Sequence, residues 1–237
     1  MRNHPFSATI LSLFPEMFPG TLGYSLAGKA LERGMWTLDT LNIRDFGLTK
    51  HKCVDDAPYG GGAGMVMRVD VLDAALQAAH EKAPHNKMIY MSPRGKPFTQ
   101  EMARDFSMLA GLTILCGRFE AVDERIFDKW SLAEISMGDY ILSGGEVAAM
   151  TLLDVVVRIL PDVMGNKESD SEESFAGDLL EYPHYTRPHT WDNKIVPDVL
   201  LSGDHQKIAT WRQAQAEKIT KERRPDLWER YRMNNSK

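Results

Sequence analysis

The chain is poor in cysteine. Only Cys53 and Cys116 occur in 237 residues, far apart and in no CxxC pair. That excludes a disulfide framework and a paired-thiolate metal knuckle, and it predicts reduced thiols in a cytoplasmic protein. Long hydrophobic runs are also missing. The longest, "VAAMTLLDVVVRIL" (147–160), is interrupted by Asp154 and Arg158. It falls short of the roughly 20 apolar residues a membrane span needs. The opening "MRNHPFSATILSLF" has no long apolar segment and no small-residue cleavage site, so no signal peptide is expected. Two nucleotide signatures are absent as well. "GYSLAGKA" (23–30) has the G-x-x-x-x-G-K spacing but ends in Ala, where a phosphate loop needs a hydroxyl for Mg2+. No G-x-G-x-x-G follows a strand, which disfavours a dinucleotide fold.

What remains is a normal globular balance, 43% hydrophobic and 26% charged. The length suits one large domain, or one domain with a small companion. The net charge of −5 is unevenly spread. Residues 182–237 hold 11 Lys and Arg against 7 Asp and Glu, a local +4, and the rest of the chain carries −9. The same segment contains Trp191, Trp211 and Trp228, three of the five tryptophans. Basic side chains among aromatics suit a polyanion with bases to stack on. A solvated helix face over core tryptophans explains the same pattern from charge alone.

Periodicity predicts strands at 7–14, 37–46, 87–93, 112–117 and 132–138, with helical stretches at 15–34, 71–83, 99–110, 122–130 and 146–160. The 87–93 strand is expected to stop at Pro93, and Thr99 to cap the next helix. "LTILCG" reads as a central parallel strand. The 146–160 helix is apolar on nearly every face and is expected to be buried on all sides, in a core or a subunit interface. Strands alternating with helices predict an α/β fold with a mostly parallel sheet. "GNKESDSEESFAGD" (165–178) is acidic and Ser/Gly-rich, which reads as a flexible linker. The expected organisation is an α/β domain over 1–160, a linker over 161–175 and a helical domain over 176–237.

Three loops fall at the C-terminal ends of inferred strands: "YMSPRG" (90–95), "CGRFEAVDER" (116–125) and "SMGDYILSGGE" (136–146). Ligands of open α/β sheets bind beyond such ends. Ser92, Glu120 and Asp139 are the polar residues expected to point into a shared cleft. "PYGGGAGM" (58–65) has four glycines in five residues and reads as a loop that closes over a ligand.

Taken in order, "VDDAPYGGGAGMVM", "YMSPRG", "CGRFEAVDER", "SMGDYILSGGE", "AMTLLD" and "PHYTRP" closely resemble the bacterial tRNA (guanine-37-N1)-methyltransferases of the knotted SPOUT class. The similarity runs from "SLFPEMF" onward. It implies a homodimer, a deep trefoil knot at the C-terminal end of the sheet, and a bent S-adenosylmethionine held by the three loops. On that basis Tyr90, Met91, Ser92 and Pro93 would line the cofactor site. Gly117, Phe119 and Glu120 would join them from the second loop. The third loop would add Ser136, Met137, Gly138, Asp139, Tyr140, Ile141, Leu142, Ser143, Gly144 and Gly145.

The resemblance also implies the chemistry. Guanine N1 carries a proton and attacks only once that proton leaves, so a carboxylate base and a cation near O6 are needed. Arg158 takes the cationic part, and Glu120 lies near the base or the cofactor's positive end. The family places an Asp two residues before a Phe in the linker; here "SEESF" puts Glu173 there, with Asp170 and Glu172 as alternatives. Contacts with tRNA are implied for Asp55, Gly64, Arg118, His184, Tyr185, Arg187, Lys207 and Arg212, with Lys218 and Arg223 on the phosphate backbone. The resemblance leaves a Mg2+ requirement open, and no residue marks a metal site. The alternative is a non-catalytic RNA-binding α/β protein with a basic helical tail.

Overall fold

The structure, a computed structural model, describes residues 4–48, 50–164 and 174–235. The chain divides into two compact units, Met1–Gly165 and Asn166–Lys237.

The first unit is built on a five-stranded sheet. Its strands are β1 (Phe6–Ser12), β2 (Trp36–Asn42), β5 (Lys87–Pro97), β6 (Gly111–Cys116) and β8 (Ala133–Ser136). The order is β2-β1-β6-β5-β8, and every neighbouring pair is parallel. The expected α/β class with a mostly parallel sheet is therefore correct. Successive side chains on a strand face opposite ways, so a sheet covered on both faces is apolar at every position. On β6, Leu112, Ile114 and Cys116 enter one core and Leu115 the other. On β5, Ile89 and Met91 face the first core, Met88 and Tyr90 the second.

The first core is covered by α1 (Ser25–Glu32), α3 (Gln100–Ser107) and α5 (Gly145–Ile159). The second is covered by α2 (Val69–Lys82) and α4 (Ile126–Lys129). Thr99 caps α3 as expected, its hydroxyl accepting the Met102 N–H at 3.2 Å. A small second sheet joins β3 (Asp55–Asp56), β4 (Val66–Met67) and β7 (Ala121–Val122), with the glycine-rich loop between β3 and β4.

Several elements differ from expectation. Residues 15–34 do not form one helix: 3-10 turns at Pro15–Met17 and Gly20–Gly23 precede α1, because Pro19 and Gly20 interrupt the backbone pattern. Residues 25–27 are already helical ahead of Gly28–Lys29, so "GYSLAGKA" forms no phosphate-binding loop. The 122–130 stretch is helical only at 126–129. Helix α5 is buried along Ala148, Ala149, Leu152, Leu153, Val156 and Val157, but Val147, Thr151 and Asp154 are exposed within the chain.

The largest departure is in β5, which does not stop at Pro93. Met91 pairs with Ile135, and so does Lys96. Residues 92–95 therefore leave the ladder as a four-residue excursion, and pairing resumes at Lys96 and Pro97. Gly95 makes this possible: a Cβ there would collide with the backbone of Glu134 and Ile135.

In the second unit a short hairpin, β9 (Thr190–Trp191) with β10 (Lys194–Ile195), precedes α6 (His205–Arg223) and α7 (Pro225–Asn235). Asp204 caps α6, accepting the N–H groups of Gln206 and Lys207. Ala216 and Thr220 are buried on α6 and Leu227 on α7, with Ile208, Trp211 and Ile219 half-buried along α6.

Candidate functional site

A cleft of about 410 Å³ opens at the C-terminal ends of β5, β6 and β8, three adjacent strands. Tyr90, Met91, Ser92 and Pro93 line it from β5 and its excursion, and Gly117, Phe119 and Glu120 from beyond β6. The segment from the end of β8 to the start of α5 contributes Ser136, Met137, Gly138, Tyr140, Ile141, Leu142, Ser143, Gly144 and Gly145. The structure thus brings together the residues expected around one cofactor, with one exception. Asp139 is exposed and does not line the cleft. The Tyr140 N–H donates to the Gly138 carbonyl at 2.9 Å, a tight turn that leaves Asp139 at its apex. Ala121, Ile135 and Ala148 line the cleft without having been expected; as small or aliphatic residues inside regular elements they carry no local signal.

Local bonds set the shape of this wall. Ser136 Oγ bonds both the N–H and the carbonyl of Gly138 at 3.2 Å, and the Tyr140 hydroxyl donates to the Met137 carbonyl at 3.1 Å. The Gly145 N–H donates to the Gly117 carbonyl at 2.9 Å, tying the end of β6 to the start of α5. Phe119, Tyr140, Ile141 and Leu142 leave apolar surface exposed at the mouth. Burial, and then the nearby Glu134 carboxylate, pushes the Tyr90 phenol up, so it stays a neutral donor. Burial pushes the Cys116 thiol well up, which makes it an inert packing group.

Arg118, assigned by resemblance to tRNA, is placed in the cleft wall, where it forms a 2.9 Å ion pair with Glu146. Glu120 is exposed at the rim. Its N–H donates to the Met65 carbonyl at 3.0 Å, and Gly64 lies against its side chain. The glycine-rich loop therefore abuts the cleft. Asp55 is half-buried on β3, paired with Met67.

Arg158 is not brought to the cleft within one chain. Gly145 and Ala148 line the cleft from the first turn of α5, whereas Arg158 sits half-buried in its last turn. At ~1.5 Å per residue that separation is roughly 15 Å from Ala148 and roughly 20 Å from Gly145. Glu173, Glu172 and Asp170 lie outside the described residues.

The remaining expected contacts fall in the second unit. His184 Nε2 lies 2.8 Å from Glu181 Oε1, and its ring packs on Tyr182. Tyr185 packs on Trp211, and the Arg212 guanidinium sits 4.7 Å from the centre of the Tyr182 ring. Lys207 pairs with Asp204 at 3.1 Å. Arg187, Lys218 and Arg223 are exposed. The result is an interleaved cationic and aromatic surface. Among the described residues no three His, Cys, Asp or Glu side chains converge to hold a metal ion, so no step is derived through Mg2+. None of the described helices is long and apolar enough to cross a membrane.

A parallel sheet with a ligand-sized cleft beyond three strand ends, lined by backbone turns and apolar side chains, is an α/β arrangement shaped for a small organic group. A family model described as tRNA (Guanine-1)-methyltransferase TrmD matches residues 6–230. A tRNA (guanine-N(1)-)-methyltransferase of Brucella ovis is 59% identical over 232 residues, covering 98% of this chain and 95% of the relative. One from Cereibacter sphaeroides is 55% identical over 230 residues, covering 95% and 92%. The chain belongs to the tRNA (guanine-1)-methyltransferase family. The resemblance and the enzyme class expected from the sequence are thereby borne out.

Proposed function

We propose that this enzyme methylates N1 of guanine at position 37 of tRNA, beside the anticodon, with S-adenosylmethionine as donor. The observation that carries the donor assignment is the chemistry of the cleft. Its volume lies within the range of small-molecule sites. Among the described residues its lining has no lysine and a single arginine, which is already paired with Glu146. Such a lining suits a nucleoside whose attached amino-acid chain is bound by backbone groups and apolar walls, and it offers no free cation to a phosphate. When bound, S-adenosylmethionine supplies an electrophilic methyl group on a sulfonium.

The protein must then hold guanine and take its N1 proton. Glu120, at the rim, is placed to favour positive charge near the cleft mouth. The linker carboxylate Glu173 is assigned as base, with Arg158 stabilising negative charge on O6. Arg158 lies too far along α5 to serve its own cleft, which supports a homodimer whose sites are shared between copies. The exposed Val147, Thr151 and Asp154 face of α5 is consistent with that. The trefoil knot rests on family membership and on the convergence of three loops at one sheet end. The cationic, aromatic surface of the second unit is assigned to tRNA in the cytoplasm.

The test is transfer of labelled methyl from S-adenosylmethionine to a tRNA transcript with G37 and to its A37 counterpart. Methylation of G37 alone, at N1, is expected. Label on both transcripts, or on neither, overturns the assignment.

A further inference from the structure

The proposed chemistry leaves one buried charge unused. Glu146 is 1% exposed, in the first turn of α5 directly behind the cleft. Burying a carboxylate is costly unless it is both paired and hydrogen-bonded. Among the described residues, Oε1 of Glu146 is hydrogen-bonded, whereas Oε2 is held only by charge. Ser12 Oγ donates to Oε1 at 2.7 Å, and Arg118 Nη2 lies 2.9 Å from Oε2. Ser12 is fully buried at the end of β1, and its Oγ also accepts the Phe14 N–H at 2.9 Å.

Arg118, 19% exposed, is held through both terminal nitrogens and one face, while its Nε has no hydrogen-bond partner among the described residues. Its guanidinium carbon lies 4.5 Å from the centre of the Phe14 ring. Its Nη1 donates to the Ser143 carbonyl at 3.1 Å. Gly144 lies against the same guanidinium, so closely that a Cβ there would collide with Nε. Ser143 and Gly144 are themselves walls of the cleft.

We propose that Glu146 is a positioning residue for the methyl-donor cleft, acting through Arg118 to fix the Ser143–Gly144 wall. The inference rests on the proposed donor and names the device that shapes its site. The carboxylate, oriented by Ser12, orients the guanidinium. The guanidinium's other nitrogen then holds the Ser143 carbonyl, and its flat face seats Gly144. Arg118 is thus committed inside the protein and is not a tRNA-phosphate ligand.

The test uses the full chain as wild type, Glu146→Gln, Arg118→Lys, Arg118→Met and the double variant Glu146→Gln/Arg118→Met. Three quantities are measured on each: Kd for S-adenosylhomocysteine by calorimetry, Kd for tRNA by filter binding, and Tm. Each single variant is expected to weaken S-adenosylhomocysteine binding about tenfold, the loss of one charge-assisted contact. Affinity for tRNA is expected to stay within about twofold, since Arg118 faces inward. Arg118→Met lowers Tm, because it strands a buried carboxylate. The double variant removes that stranded charge and recovers most of the Tm without recovering affinity. Arg118→Lys keeps a cation beside Glu146 but cannot span to Ser143, so it keeps Tm and loses affinity. Unchanged affinity in the single variants overturns the proposal, as does affinity that returns with Tm in the double variant or a loss confined to tRNA. A wild type that binds no S-adenosylhomocysteine removes the donor assignment itself, and the inference with it.

Discussion

Gly145 shows how little room the cleft leaves its own backbone. A Cβ there would meet Cys116 Cα at 2.8 Å, and a neighbouring main chain cannot swing aside. Gly145→Ala should therefore lower stability by about 1–3 kcal/mol, as overpacking does. It should also weaken S-adenosylhomocysteine binding. Thermal unfolding and calorimetry on this one variant check both effects, and an unaltered Tm would contradict the close approach. Much of the site is legible at this scale, because "SMGDYILSGGE" is a glycine-rich bend that no phosphate motif explains. Asp139 is the instructive miss. Its residue type suits a ligand, but only the turn geometry reveals that it sits at an apex. The role of Arg118 is equally hidden, since the Ser12–Glu146 bond that anchors it joins residues 134 positions apart.

Among the elements, β1, β6 and α5 are legible because their apolar spacing alone fixes period and burial. The rest depends on distant partners. Pro93 reads as a stop, but the ladder against Ile135 readmits β5 at Lys96. Strands β3, β4 and β7, two residues each, are too short for alternation to register. One inter-element bond gives a pH signature. Asp73 on α2 accepts Lys129 Nζ at 2.7 Å and Trp130 Nε1 at 2.8 Å, linking α2 to the α4 segment. The Lys129 hydrogen bond, then that of Trp130, holds the Asp73 carboxyl below its ordinary value. A depressed carboxyl favours the folded state above its ordinary pKa of about 4, and that advantage is lost as pH falls through the folded value. Asp73→Asn should thus lower Tm at pH 7, with the gap to wild type narrowing as pH falls below about 4. Melts at pH values on either side decide it; a constant gap would mean the charge contributes nothing.

For the whole molecule, the decisive placement is that of Arg158, roughly 15 Å along α5 from the nearest cleft residue of that helix, Ala148. Two defective copies should therefore rescue one another. Arg158→Ala and the cleft variant Gly145→Ala, each impaired alone, are expected to regain activity when unfolded and refolded together. Random pairing makes half the dimers mixed, each with one intact site, so recovery should approach about a quarter of wild type. Activity no higher than the average of the separate preparations would argue that each chain works alone. Charge asymmetry is legible at this scale from composition, while the proposed partnership between copies is not, because no spacing in one chain encodes what a second one supplies. Finally, the Ser92–Gly95 excursion has a mechanical consequence. Both of its ends are stitched to the same rung of the ladder, at Ile135. Ser92 and Pro93 therefore form a rigid sill without hinges. The Gly60–Gly64 stretch, all but side-chain-free, abuts the same cleft at Glu120. On the proposed reading, adenosine would settle against a threshold that stays put.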